Sequence, residues 1–187
     1  MGPGTGSYAI GPATGALTVH TGRGGLGGMA GHDLVIEATR WAGNVTIDAD
    51  RLEASVVEVV VEPASLEVRE GKGGAVPLLA INKAEIAKTM KKVLRTREHP
   101  EIRFRSSAVV PTPDGFSVRG DLMIAGVSRP AELAVSVDLD AAPPRGTVTT
   151  TVVQSGFGIK PYSAMLGALK VLDPVEIRAE IQLPRRR

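Results

Sequence analysis

Apolar residues recur at every second position along most of this chain, and that period admits few folds. Leu17 and Val19 alternate with Thr18 and His20, and Leu34, Ile36 and Ala38 with Val35, Glu37 and Thr39. Val45 and Ile47 alternate with Asn44, Thr46 and Asp48, and Ile102 and Phe104 with Glu101, Arg103 and Arg105. Phe116, Val118, Leu122 and Ile124 share one face, opposite Ser117, Arg119 and Asp121. Leu133, Val135, Val137 and Leu139 oppose Glu132, Ser136 and Asp138. Val175, Ile177, Ala179, Ile181 and Leu183 oppose Glu176, Arg178, Glu180 and Gln182. A period of two marks half-buried antiparallel strands with one wet face. Turns are expected at Ala42-Gly43-Asn44, at Pro113-Asp114-Gly115 and from Ala142 to Gly146. About eight or nine strands result, enough for an antiparallel barrel of about eight.

Two segments break the pattern. Val56 to Val61 is apolar except for Glu58, which predicts a strand covered on both faces, its outer face by a helix. That helix is expected over residues 83–96, ending by about Arg97 before the His99-Pro100 step. Asn82 is its expected N-cap, Glu85 reaches back to the cap amide, and Ile81 and Ile86 form a hydrophobic staple. Ile86, Met90, Val93 and Leu94 then fall on one stripe, with Lys91 and Lys92 suited to the last turns. A packing role is the expectation for it.

Composition narrows the function classes. Net charge is +2 over 187 residues, but Arg185, Arg186 and Arg187 form a basic tail, and without it the balance is −1. A basic platform for nucleic acid is therefore not supported. With no cysteine, disulfides, thiolate metal sites and thiol catalysis are excluded. Neither a signal peptide nor an apolar run of spanning length is visible, so a cytoplasmic protein without an integral membrane segment is expected. A single domain over residues 1–184 precedes the tail at 185–187.

Catalytic motifs are absent from the linear sequence. Gly22-Arg23-Gly24-Gly25-Leu26-Gly27 matches G-x-G-x-x-G, yet no helix is expected to open there, so an inter-strand loop is the better reading. Gly71-Lys72-Gly73-Gly74 lacks the spacing of a phosphate loop, and Gln154-Ser155-Gly156 lacks the first glycine of a nucleophile elbow. His20, His32 and His99 have no metal-site spacing; no metal is assigned to them, and whether they touch one is left open. A backbone-satisfying contact is expected of His32-Asp33.

Four blocks resemble the YceI-like family. They are Gly31-His32-Asp33-Leu34 leading to Trp41-Ala42-Gly43, the helix running into His99-Pro100-Glu101-Ile102-Arg103-Phe104, the stretch from Gly120 to Pro130, and the late loop from Ser155 to Ser163. The resemblance extends over roughly residues 8 to 183, nearly the whole chain. The chain departs from the pattern at Ala13-Thr14-Gly15, where the family usually carries a His-Ser pair, and many relatives are periplasmic. The resemblance implies an extended, lipocalin-like antiparallel barrel that binds a long isoprenoid or other lipid without catalysing a reaction. Candidate liners are Leu17, Val19, Leu34, Ile36, Phe104, Phe116, Leu122, Ile124, Leu133 and Val135, and Lys160 and Tyr162 are candidate head-group contacts. The expected partner is a hydrophobic small molecule, with no other cofactor; a homodimer stays open. Two alternatives stay open as well: a stress-associated or interaction module with a filled barrel, and a metal-dependent enzyme built on His20, His32 and a carboxylate. The scarcity of aromatics, six in all, means few bulky plugs and more room for a guest.

Overall fold

The computed structural model describes residues 4–25, 31–74, 77–138, 140–164, 166 and 169–182. Twelve strands form one antiparallel sheet: β1 (Gly6–Ile10), β2 (Gly15–Gly24), β3 (Asp33–Ala38), β4 (Trp41–Ile47), β5 (Val56–Val61), β6 (Leu66–Lys72), β7 (Ile102–Thr112), β8 (Gly115–Ile124), β9 (Val127–Asp138), β10 (Arg145–Val153), β11 (Ser163–Ala164) and β12 (Leu169–Gln182). Among the described residues there is one α-helix, α1 (Ala80–Val93), between β6 and β7. The spatial order is β1-β4-β5-β7-β8-β9-β10-β12-β2-β3-β6, with β11 paired to β12.

That order forces curvature. β3 and β4 stand eight inter-strand steps apart, which in a flat sheet would be roughly 38 Å. Yet Ala38 and Trp41 are joined by two residues, a reach of about 11 Å. The short links from Ile10 to Gly15 and from Val61 to Leu66 span the same eight steps. The sheet therefore curls into a half-barrel whose two ends meet at a corner. Hydrogen bonds sew that corner: Thr39 N–H donates to the Ser65 carbonyl at 3.2 Å and Glu62 N–H to the Arg40 carbonyl at 3.1 Å. The Ser65 hydroxyl accepts from Arg40 N–H at 3.0 Å and donates to the Glu62 carbonyl at 2.7 Å.

Several strands escaped the alternation. β10 has Thr150 on its inner face between Val148 and Val152, β11 has two residues, β1 has five, and β6 shows only Leu66 and Val68 before its polar half. The expected turn at Ala42-Gly43-Asn44 lies inside β4; a Cβ on Gly43 would sit 2.8 Å from the Glu58 carbonyl, so this glycine serves close strand approach. Gly22 and Gly24 belong to β2, and Leu172 of β12 lies across both, 2.8 Å from where either Cβ would stand. The strand therefore takes up most of the expected loop and ends only at Gly24, and Leu26 and Gly27 fall outside the described residues, as do Leu139, Leu183 and the Arg185–Arg187 tail. β5 is not covered on both faces: Glu58 and Val60 are exposed, while Val57, Val59 and Val61 point inward. The bulge between Ser106 and Ala108 shifts the inward phase of β7 from Phe104 and Ser106 to Val109.

The helix begins three residues before its expected start and ends three before its expected end. Leu79 is the N-cap, so Asn82 occupies the third helical position and accepts from Leu79 N–H at 3.1 Å. Ile81 is 70% exposed, so no staple forms with Ile86. Arg95, at φ +50°, turns the chain out of the helix, with Thr96 N–H donating back to the Lys91 carbonyl at 3.1 Å. Its guanidinium donates to the Ala125 carbonyl at 2.7 Å. The apolar stripe is as expected: Ile86, Met90 and Leu94 pack on the first core cluster, and Val93 and Leu94 on the second.

Candidate functional site

Ladder pairing places the ten apolar candidates on the concave face. Val19 stands opposite both Ile36 and Ile177, Phe104 opposite Leu122 and Val59, Phe116 opposite Val135, and Leu133 opposite Val118. Directly paired residues share a face, so these side chains meet. Leu17, Val19, Leu34 and Ile36 join a cluster with Trp41, Val61 and Val68; Val19, Leu122 and Ile124 belong with Phe157 and Val175; Phe104, Phe116, Leu122, Leu133 and Val135 surround Val109 and Val118. Val19 and Leu122 each touch two clusters, making one continuous apolar surface. Ile36, Phe104 and Ile124 are buried, but the other seven keep some accessible surface although they face inward.

One end of the half-barrel is the mouth. β2, β6, β8 and β10 finish there, β3, β7, β9 and β12 begin there, and α1 packs over it. The late loop forms the opposing lip. Phe157 and Ile159, 5% and 4% exposed, anchor it in the second cluster. Burying each is worth roughly 1.5–3 kcal/mol. Gly158 between them sits at φ +69°, a conformation an L side chain rarely adopts. The Asp173 carboxylate accepts from the Ser155 amide and hydroxyl at 2.8 and 2.5 Å, and these bonds hold its pKa below the usual carboxylate range. Val171 N–H donates to the Tyr162 carbonyl at 2.9 Å.

Between these anchors Lys160, Pro161, Tyr162 and Ser163 border an open depression of about 660 Å³, lined as well by Val93 and Leu166. The structure thus brings the two head-group candidates together at the mouth, near Leu34 and Ile124 at the mouth ends of β3 and β8, with most of the other liners deeper on the concave face. Pro161, Ser163 and Leu166 were missed, because a loop without alternation gives no facing signal. Arg129 was missed too, although the alternation through Val127, Arg129 and Ala131 contains it. It pairs with Leu122 on the inner face, and its Nε–H donates to the Gly156 carbonyl at 3.0 Å. It does so where β9 and β10 have separated: their ladder runs only from Arg145–Asp138 to Thr149–Ala134, and the turn at Gln154–Phe157 lies against β9 beyond it.

Asp33 accepts Arg23 N–H at 2.8 Å, the backbone-satisfying contact expected of His32-Asp33. His20 is on the outer face beside Glu176, whereas His99 lies against Gly126 at the β8–β9 turn. Among the described residues no group of three or more His, Asp or Glu side chains is placed to hold a metal ion. No helix among them is long and apolar enough to cross a membrane.

The family model of the YceI-like domain matches residues 8–183. The chain belongs to the YceI-like family. Solved structures agree with a lipocalin-like fold. BcnA of Burkholderia cenocepacia superposes with a TM-score of 0.70 at 15% identity, over 92% of this chain and 98% of its own. The Campylobacter jejuni YCEI protein gives 0.57 at 12% identity, over 81% and 85%. At such identities the likeness concerns the fold alone. No curated protein matches the sequence.

Proposed function

We propose that this chain is a non-enzymatic carrier that holds a long-chain lipid, isoprenoid in class, along the concave face of its sheet. The observation that carries the reading is the continuous apolar lining of that face, on which seven of ten inward apolar candidates are only partly buried. Magnitudes favour a long guest. Ten buried methylene equivalents contribute about 8 kcal/mol at roughly 0.8 each, against an association cost of about 4–15 kcal/mol. An exposed ion pair from Lys160 to a head group adds only about 0.2–1 kcal/mol. The chain of the lipid supplies affinity, and the lip at Lys160 and Tyr162 reads the head.

Native mass spectrometry of gently purified protein tests this, together with thermal shift on adding polyprenyl lipids. A lipid adduct and a raised Tm are expected, and Val135→Trp, which fills the concave face, should abolish both while the circular dichroism spectrum stays the same. Apo mass alone, with no thermal shift from added lipid, overturns the reading.

A further inference from the structure

The chain has seven lysines, and all seven lie at the mouth end. Lys72 closes β6, Lys83, Lys88, Lys91 and Lys92 ride on α1, Lys160 is in the late loop, and Lys170 opens β12. Arginines are used differently. Arg40, Arg51, Arg69, Arg103, Arg105, Arg119 and Arg178 pair with carboxylates along the walls. Among the described residues Lys72 is the one lysine in an ion pair, 3.6 Å from Glu70. Carboxylates are shared between the ends: Asp33, Glu70, Glu85, Glu98, Glu101 and Asp173 stand at the mouth, outnumbered there by the lysines, while at the far end Asp48, Asp50, Glu53, Asp114, Asp138 and Asp140 face no lysine at all. The molecule is charged lengthwise, basic at the mouth.

Apolar side chains stand among those lysines. Leu79 is 60% exposed, Ile81 70%, and Leu166 fully exposed. Because Ile86, Met90 and Leu94 face inward, helical spacing puts Ile81, Ala84, Lys88, Lys91 and Lys92 on the outer face of α1, and all five are exposed. Glu85 is the helix's one carboxylate against four lysines.

We infer that the mouth docks on an anionic lipid bilayer, α1 lying flat with its outer face in the headgroup layer and Ile81, Leu79 and Leu166 dipping beneath it. A basic helix face bearing a few apolar side chains is the pattern of interfacial helices, and juxtamembrane lysines are drawn to anionic lipid. A protein partner fits less well, since interface cores are enriched in arginine and aromatics and depleted of lysine. Here seven arginines pair with carboxylates along the walls and Arg95 and Arg129 are tied to backbone carbonyls, whereas the lysines, point charges on flexible stems, suit a fluid surface of headgroups. The inference extends the carrier reading by naming the surface at which a guest would enter and leave, but its test uses phospholipid and apo protein, so either can fail alone.

The experiment is sedimentation of the full chain with vesicles of phosphatidylcholine, with and without about one-third phosphatidylglycerol, at low and at raised salt. Binding should require the anionic lipid and weaken several-fold with salt. The triple variant Lys88→Gln, Lys91→Gln, Lys92→Gln, which keeps the Arg185–Arg187 tail, should lower the partition coefficient at least tenfold, at about fivefold for each lysine that reaches the surface. Ile81→Ser should lower it several-fold with Tm unchanged. Arg51→Gln, Arg119→Gln, Arg145→Gln removes the same charge away from the mouth and should leave binding intact. Equal loss in both triple variants, binding indifferent to anionic lipid, or no binding overturns the inference. So does capture of polyglutamate without vesicle binding, which would assign the face to an acidic polypeptide.

Discussion

His20 shows how a wall position can acquire pH sensitivity without chemistry. It stands on the outer face opposite Glu176, with its Nε2 3.0 Å from the Thr18 hydroxyl. Partial burial, and then the Arg178 guanidinium, lower its pKa below the ordinary imidazole value of 6.5. The unfolded chain therefore takes up a proton first as pH falls. Stability is fully present above pH 6.5 and declines as pH drops toward the folded value. Urea unfolding between pH 7.5 and 5 should show this decline, and His20→Gln should flatten the part due to this group; an unchanged slope would show that His20 is not its source. At the same scale, small residues matter by what they make room for. Gly22 and Gly24 look like a nucleotide motif in the sequence, but their service is to let Leu172 lie over β2. Ser65 is 3% exposed, and its hydroxyl links Arg40 to Glu62 at the corner between the sheet's two ends, beside the backbone bonds there.

Among the elements, α1 depends on one face for its packing. Ile86→Ala and Met90→Ala should each cost about 1–3 kcal/mol, less than a full core truncation because both side chains are half-buried. Ile81→Ala should change stability by no more than about 0.5 kcal/mol. Chemical denaturation of the three variants measures both, and a cost at Ile81 matching that at Ile86 would restore the staple that its exposure denies. The stripe was legible in the sequence because burial imposes a period; the ends were not. Asn82 accepts an amide equally well as N-cap or, reaching back to Leu79, from the third position, so its identity does not fix the start. No glycine marks the stop, because Arg95 adopts the left-handed conformation and ties itself to Ala125. Strands failed to announce themselves where threonine replaced aliphatic residues, as in β10. Conversely, a strand was read as two-sided where valines on the wet face, Val56 and Val60, mimicked burial.

At the scale of the whole molecule, alternation told which residues face inward but not which strands are neighbours. The pairing of β2 with β12 joins Thr18 to Arg178, 160 residues apart, and no local pattern encodes it. The mouth was half legible: Lys160 and Tyr162 were found through the family's late loop, whereas net charge hid the lysines, since near-neutrality cancels what the fold separates in space. β12 bonds β10 on one side and β2 on the other, and its Gln182 N–H donates to the Thr14 carbonyl at 2.7 Å. Truncating the chain after Ser163 should therefore leave both neighbours with bare edges. Circular dichroism and amide exchange should report loss of the cooperative fold together with loss of protection in β2; a truncated chain that keeps a sharp unfolding transition would show the sheet to be less interdependent than its pairing implies.

That dependence of the first long strand on the last has a consequence during synthesis. At roughly 5–20 residues per second, β2 leaves the ribosome about 8–30 s before its partner β12 exists. Through that interval its open edge and its inward Leu17 and Val19 are available to other nascent chains. The longest wait in the chain thus falls on a strand that helps build the concave wall, and it sets how long that edge stays open to mispairing.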